Sequence, residues 1–253
     1  MSAAGGPGEV RRGADAFRTV RDDRTTVHAF SFGPHYDAAN LGFGPMVCHN
    51  DDRVAPGGGY PDHPHTDLEI VTWVLDGELT HTDTVDGSRA ALGAGTVQVT
   101  SAGSGIRHSE LVDPAAGPTR FLQVWLRPDE PGRPPRTTRT TAVLDPDGFT
   151  PLAGAGGLPL GTRGARLLVA RPRAGVPLRL PDAPLLHLYV ARGAVTLPER
   201  GPLGTQPDGG YDGPAAPGGG EGDAWRLRDA GEQVVVPRDD GTELVVWAFD
   251  ADA

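Results

Sequence analysis

The sequence predicts an all-β protein, and three observations carry that prediction. The chain spends 37 glycines and 25 prolines among 253 residues, which punctuates it at short intervals and favours turns over long helices. No window sustains an apolar period of 3.6 residues. Between the Gly, Pro and Asp-Gly punctuation lie runs of strand length, apolar or alternating. Short strands at this spacing fold as barrels or sandwiches. A chain of this length can bury one large core or two small ones, and length alone does not choose.

The elements follow in order. Met1-Ser2-Ala3-Ala4-Gly5-Gly6-Pro7 lacks the apolar core of a signal peptide, and residues 1–13 read as a flexible N-terminus. Gly57-Gly58-Gly59 leads to His63, Leu68 to Leu75 reads as an apolar strand, and Asp76-Gly77 is a strong hairpin turn. A partner strand runs from Glu78 to Val85, Asp86-Gly87 and Gly93 to Gly95 turn the chain again, and Thr96 to Ser101 alternates Val97 and Val99. Gly103 and Gly105 then bring it to His108. Arg133, Arg136 and Arg139 sit among Pro131, Pro134 and Pro135, and residues 131–150 read as a linker. Strand-like runs return at Leu167 to Ala170, Leu185 to Leu197, Gln233 to Val236 and Glu243 to Phe249, enough for a second, smaller barrel over 151–253. From Glu199 to Asp223 the composition is mostly Gly, Pro and polar, which predicts a mobile insertion.

The chemistry concentrates at His63-Pro64-His65 and His108-Ser109-Glu110. Side chains alternate faces along a strand, so His63 pairs with His65 and His108 with Glu110. Two such pairs facing each other surround a point with three imidazoles and one carboxylate. Structural zinc sites are closed four-coordinate sets rich in thiolate, whereas three nitrogens and one oxygen leave open positions on a five- or six-coordinate ion. The bland alternative, two exposed strand-end pairs without metal, is outweighed by the spacing and the flanking glycines. His81 and Asp83, two apart on the strand after the hairpin, can reach the same cavity, where a hydrogen bond to a ligand is expected of them rather than contact with the metal. Trp73, Phe121 and Trp125 read as core; His28, His35 and His49 fall outside the paired pattern and read as surface or structural; Cys48 reads as a small buried residue.

Composition removes several classes of function. All 23 basic residues are arginine, so chemistry needing a lysine, such as a Schiff base or a Walker-type phosphate loop, is excluded. A formal net charge of -10 opposes a nucleic-acid surface. No run approaches the apolar length of a membrane span. One cysteine permits no internal disulfide, and the protein is expected in the cytoplasm.

Pro61-Asp62-His63-Pro64-His65, Glu69-Ile70-Val71, Leu75-Asp76-Gly77 and Ser101-Ala102-Gly103-Ser104-Gly105-Ile106-Arg107-His108-Ser109-Glu110 resemble the pirin family of the cupin superfamily. The likeness runs from Phe30 to Arg127 and takes in Phe30-Ser31-Phe32 and Asn50-Asp51-Asp52. The resemblance implies a bicupin, two β-barrels of the double-stranded β-helix or jelly-roll type. It places the metal in an N-terminal barrel, residues 14–130, on His63, His65, His108 and Glu110. The C-terminal half contains only His187 and is expected to be a barrel without metal. The general cupin pattern would nominate Glu69 as the ligand carboxylate; the pirin pattern nominates Glu110 and is followed here, which leaves Glu69 as a ligand's hydrogen-bond partner or a structural residue.

The same resemblance implies a dioxygenase that consumes oxygen and a flavonol of the quercetin type, using one divalent metal per chain and Glu110 as base. Iron(II) is the first choice, with nickel, manganese, cobalt and zinc behind it. The competing expectation is a metal- or redox-sensing regulatory protein that binds a partner on a charged face near Arg107, Arg120 and Arg127. A cupin of other chemistry, such as an isomerase, is the third.

Overall fold

The computed structural model describes residues 8–85, 87, 89–197 and 218–250. Among them there is no α-helix; a 3-10 turn at Gly13–Asp15 is the one helical element. Among the described residues no helix is long and apolar enough to cross a membrane. The first strands are β1 (Glu9–Arg11), β2 (Phe17–Val20), β3 (Arg24–His28), β4 (Met46–Val54), β5 (Gly59–His65), β6 (Glu69–Asp76), β7 (Glu78–Asp83), β8 (Arg89–Gly93), β9 (Thr96–Ser101), β10 (Ile106–Leu111), β11 (Thr119–Leu126) and β12 (Arg136–Thr141). They are followed by β13 (Thr150–Ala153), β14 (Ala165–Ala170), β15 (Leu178–Arg179), β16 (Leu185–Arg192), β17 (Ala194–Thr196), β18 (Gly218–Gly220), β19 (Ala224–Arg228), β20 (Val234–Pro237) and β21 (Glu243–Phe249).

Two compact units divide the chain. One takes Asp15–Val143 and Pro151–Leu167; the other takes residues up to Ala14, Leu144–Thr150 and the chain from Leu168. In the first, a seven-stranded sheet ordered β12-β9-β6-β11-β4-β3-β2 accompanies a four-stranded sheet ordered β5-β10-β7-β8. The central strands β6, β9 and β11 are buried nearly throughout, which their β-branched and aromatic residues favour. Val54, Val74, Leu79, Leu92, Val112 and Phe121 form an apolar core there, leaving the polar residues of β5 and β10 for other work. In the second unit, Leu186, Leu188, Val190, Trp225, Leu244 and Val246 build an apolar core.

The borders differ from those read in the sequence. Residues 131–150 were expected to link two barrels, yet β12 pairs with β9 along its whole length, from Arg136 opposite Ser101 to Thr141 opposite Thr96. Its Arg-Thr-Thr-Arg-Thr-Thr sequence is that of an edge strand with a wet face, so no apolar alternation announces it. Residues 1–13 were expected to be flexible, but Glu9–Arg11 pair with β19, and Arg12 donates to Asp223 at 2.7 Å. Residues 151–167 join the first unit rather than the second. The insertion expected at 199–223 lies outside the described residues as far as 217; Gly218–Gly220 form β18 against β17.

Gly59 opens β5 at φ +129°, where an added Cβ would lie 2.2 Å from the Glu110 carbonyl oxygen. The first strand of the histidine pair therefore approaches β10 as closely as backbone allows. Gly59→Ala is expected to cost about 2–3 kcal/mol through strain and displaced backbone. Urea unfolding checks it, and an unchanged midpoint would show that the two strands can part without penalty.

Candidate metal centre

β5 and β10 are antiparallel neighbours in one sheet, with His63 opposite His108 and His65 opposite Ile106. The period of two puts His63 and His65 on one face, and His108 joins them across the ladder. The two pairs thus stand side by side rather than face to face, and cross-strand proximity delivers the convergence. Ring centroids are 4.4 Å apart for His63 and His108, 4.9 Å for His63 and His65, and 5.0 Å for His65 and His108. One nitrogen from each ring lies within 4.8 Å of the other two.

A β-bulge orients the first of these rings. Between His108 and Glu110 the ladder advances two residues on β10 but three on β5, from His63 to Tyr60, so the extra residue lies at Pro61–Asp62. Proline has no N–H to give a ladder, which makes it a natural occupant of a bulge. The Pro61 carbonyl accepts from His63 Nδ1 at 2.8 Å, and this leaves His63 Nε2 as the bare nitrogen.

His108 is oriented from the other side. His81 Nε2 lies 3.1 Å from His108 Nδ1, and Asp83 Oδ2 lies 3.7 Å from His81 Nδ1. Thr137 Oγ1, on β12, donates to Asp83 Oδ2 at 2.6 Å. The Nε2 atoms of His65 and His108 are both buried without a hydrogen-bond partner. A buried polar atom left unpaired costs about 1–3 kcal/mol. Burial, then the neighbouring His108 and His63, lowers the pKa of His65 to about 4; burial, then His63, lowers that of His108 to about 4. At neutral pH both rings are uncharged, the form in which imidazole binds a metal. Three converging imidazoles, two of them held at Nδ1 (His63 by the Pro61 carbonyl, His108 by His81) and two with buried, unpaired Nε2 atoms (His65 and His108), fit a divalent cation.

Glu110 reaches the same region by a different route. Its carboxylate accepts from the Gln123 amide at 2.9 Å and 2.8 Å, and Thr72 Oγ1 stands 3.5 Å away. Gln123 and Thr72 are opposite each other on β11 and β6 of the seven-stranded sheet, so the hydrogen bonds cross the interior between sheets. Gln123 Oε1 in turn accepts from Trp125 Nε1 at 3.0 Å, and the Trp125 ring packs edge-on against His65 at 4.9 Å. The cluster of nitrogens is made by three histidines; Glu110 lies in its amide cradle outside that cluster.

The pirin family model matches residues 10–126. Rv0181c of Mycobacterium tuberculosis H37Rv, which carries the provisional name of a quercetin 2,3-dioxygenase, is 37% identical over 254 residues, covering 96% of this chain and 95% of that protein. The chain belongs to the pirin family. A quercetin 2,3-dioxygenase of Escherichia coli K12 is 41% identical to this pirin over 109 residues, 43% of the chain and 47% of the relative. The crystal structure of the E. coli pirin YhhW in complex with nickel(II) superimposes with a TM-score of 0.82 at 24% identity, covering 96% of this chain and 100% of that one. The fold is the all-β bicupin.

Other residues of this pirin fall beside or away from what the sequence predicted. Glu69, expected as a structural residue or a ligand's partner rather than a ligand, accepts from Ser101 Oγ at 2.8 Å and Gly161 N at 3.0 Å, and holds the 151–167 segment. Trp125, expected in the core, is half-buried beside His65. Arg120, assigned to a charged partner-binding face, is buried in a paired bridge to Asp51 at 2.9 Å and 2.6 Å and offers no charge to such a face, and Arg107 pairs with Asp62 at 2.8 Å. Gln123 and Thr72 were missed, although each interrupts an apolar run, Phe121-Leu122-Gln123-Val124-Trp125 and Ile70-Val71-Thr72-Trp73-Val74, which is the signal that could have found them.

In the same barrel Asp52 is buried and accepts from Thr26 Oγ1 at 2.5 Å and Tyr60 Oη at 2.6 Å. Burial raises its pKa to about 7. The folded protein therefore keeps a proton that the unfolded chain releases near 3.8, so the stabilising contribution is present below that value and is lost as pH rises towards 7. Asp52→Asn, neutral throughout, is expected to be more stable than wild type at pH 8 by on the order of 1–4 kcal/mol and level with it near pH 4. Urea melts at the two pH values check the crossing; an Asn variant less stable at both would contradict it.

Proposed function

We propose that this pirin is a cytoplasmic, metal-dependent dioxygenase that opens flavonols of the quercetin type. The observation that carries the reading is the convergence of His63, His65 and His108, with His65 and His108 uncharged and their Nε2 atoms buried and unpaired. The dioxygenase names of the M. tuberculosis and E. coli relatives support the substrate class, and the nickel(II) in the YhhW structure supports a divalent ion. Iron(II) is our first choice, with nickel, manganese, cobalt and zinc behind it, one ion per chain.

The three Nε2 atoms would hold the ion, with Glu110 as the fourth ligand. When bound, the ion supplies a positive charge to which an anionic flavonol oxygen is drawn. A Glu110 carboxylate oxygen takes the proton of the incoming flavonol hydroxyl, and the Gln123 amide fixes where that oxygen lies. Half-buried Trp125 offers an apolar ring beside His65 on which the flavonol can rest. Dioxygen is the second substrate, and one ring carbon leaves as carbon monoxide.

The test is to strip the protein with EDTA, load it anaerobically with iron(II) or nickel(II), and add quercetin with oxygen. Flavonol loss with matching oxygen uptake and carbon monoxide release supports the reading. No turnover under any metal loading would overturn it in favour of the regulatory protein.

A further inference from the structure

A cavity of about 410 Å³ opens in the first unit, lined by Glu69, Ser101, Arg136 and Gly161 together with two ion pairs, and none of the three histidines takes part. We propose that it binds a small zwitterion, a molecule with an ammonium at one end and a carboxylate at the other. Glu69 lies opposite Ser101, and Ser101 opposite Arg136, so the three form a row across β6, β9 and β12. Directly paired residues share a sheet face, and two strand spacings put the ends of the row about 10 Å apart at the backbone.

The two ends carry opposite, uncommitted charge. Glu69 is 3% exposed; its Oε2 takes both hydrogen bonds, from Ser101 and Gly161, while Oε1 accepts none among the described residues. The Arg136 side chain is exposed and makes no ion pair or hydrogen bond among the described residues, its backbone being taken up in the ladder with β9. The other charges are satisfied, Arg163 by Asp129 at 2.7 Å and Arg133 by Glu130. A plain anion would meet the buried Glu69 carboxylate, and a plain cation would leave Arg136 unanswered. A zwitterion answers both, and the volume suits a molecule of amino-acid size.

The walls are already tied. Asp129 N donates to the Gly161 carbonyl at 3.0 Å, and Thr162 Oγ1 donates to the Arg127 carbonyl at 2.7 Å. Glycine at 161 also keeps the front of the open oxygen clear, because a Cβ there would lie 2.5 Å from Glu69 Oε1.

The test uses the EDTA-treated full chain and backbone amide NMR, titrated with glycine, 4-aminobutyrate and 6-aminohexanoate, which set the two charges at three separations, and with butyrate and butylamine as controls. At least one amino-carboxylate is expected to shift the Ser101 and Gly161 amides with a Kd of about 1 mM, and each control to bind about tenfold more weakly or worse. Arg136→Gln, on an exposed edge where folding is unaffected, is expected to weaken binding about tenfold. Silence from all three amino-carboxylates up to about 100 times that concentration, equal binding by butyrate, or full affinity in Arg136→Gln would each overturn the proposal.

Discussion

The His108→Ala protein is expected to lose most of its metal. Structural zinc sites bind with about 10–16 kcal/mol spread over four donors, so one donor carries roughly 3 kcal/mol, a factor of about 10² in affinity. His108 adds to that share because it is the ring whose Nδ1 is fixed by His81, 3.1 Å away, and whose Nε2 is buried without a partner. Combining it with His63→Ala should leave no retained metal after dialysis, as elemental analysis of purified protein would show. Metal held by the double variant at wild-type stoichiometry would place the site elsewhere.

Glu110→Gln separates binding from chemistry. The substitution keeps the size of the side chain and an oxygen donor but removes the charge and the proton acceptor. Metal affinity is expected to fall modestly, since three imidazoles remain. Flavonol turnover is expected to fall by about 10²-fold or more, the range of a removed general base. The Gln123 amide now donates to both Glu110 oxygens, and in the variant it faces another amide, so part of the loss would come from a displaced side chain. Gln123→Leu distinguishes the two causes: it keeps the carboxylate and loses its holder. A kcat reduced in Glu110→Gln and nearly preserved in Gln123→Leu assigns the effect to the proton; equal losses assign it to position.

Much of this centre was legible in the sequence because a strand has a period of two. His63 and His65 must share a face, and His108 carries a third imidazole on a second strand; folding adds only that the two strands are neighbours. What escaped depends on pairings between distant segments. Gln123 reaches Glu110 from the opposite sheet, and Thr137 reaches Asp83 from a strand whose Arg and Thr residues look like linker. The bulge at Pro61 is set by the β5–β10 register, which no local pattern states. Short edge strands such as Glu9–Arg11 are held by the partner they meet and carry little periodicity of their own. The same reason hid what Glu69 holds in the 151–167 segment: Gly161, its partner, lies far along the chain.

The account turns on where the ion sits. Anomalous diffraction from crystals of the iron(II)- or nickel(II)-loaded chain, collected at the metal edge, measures that directly. The prediction is one peak per chain, about 2.0–2.2 Å from the Nε2 atoms of His63, His65 and His108, the ordinary metal–imidazole distance. A peak away from these three nitrogens, or two peaks of equal occupancy, would contradict it.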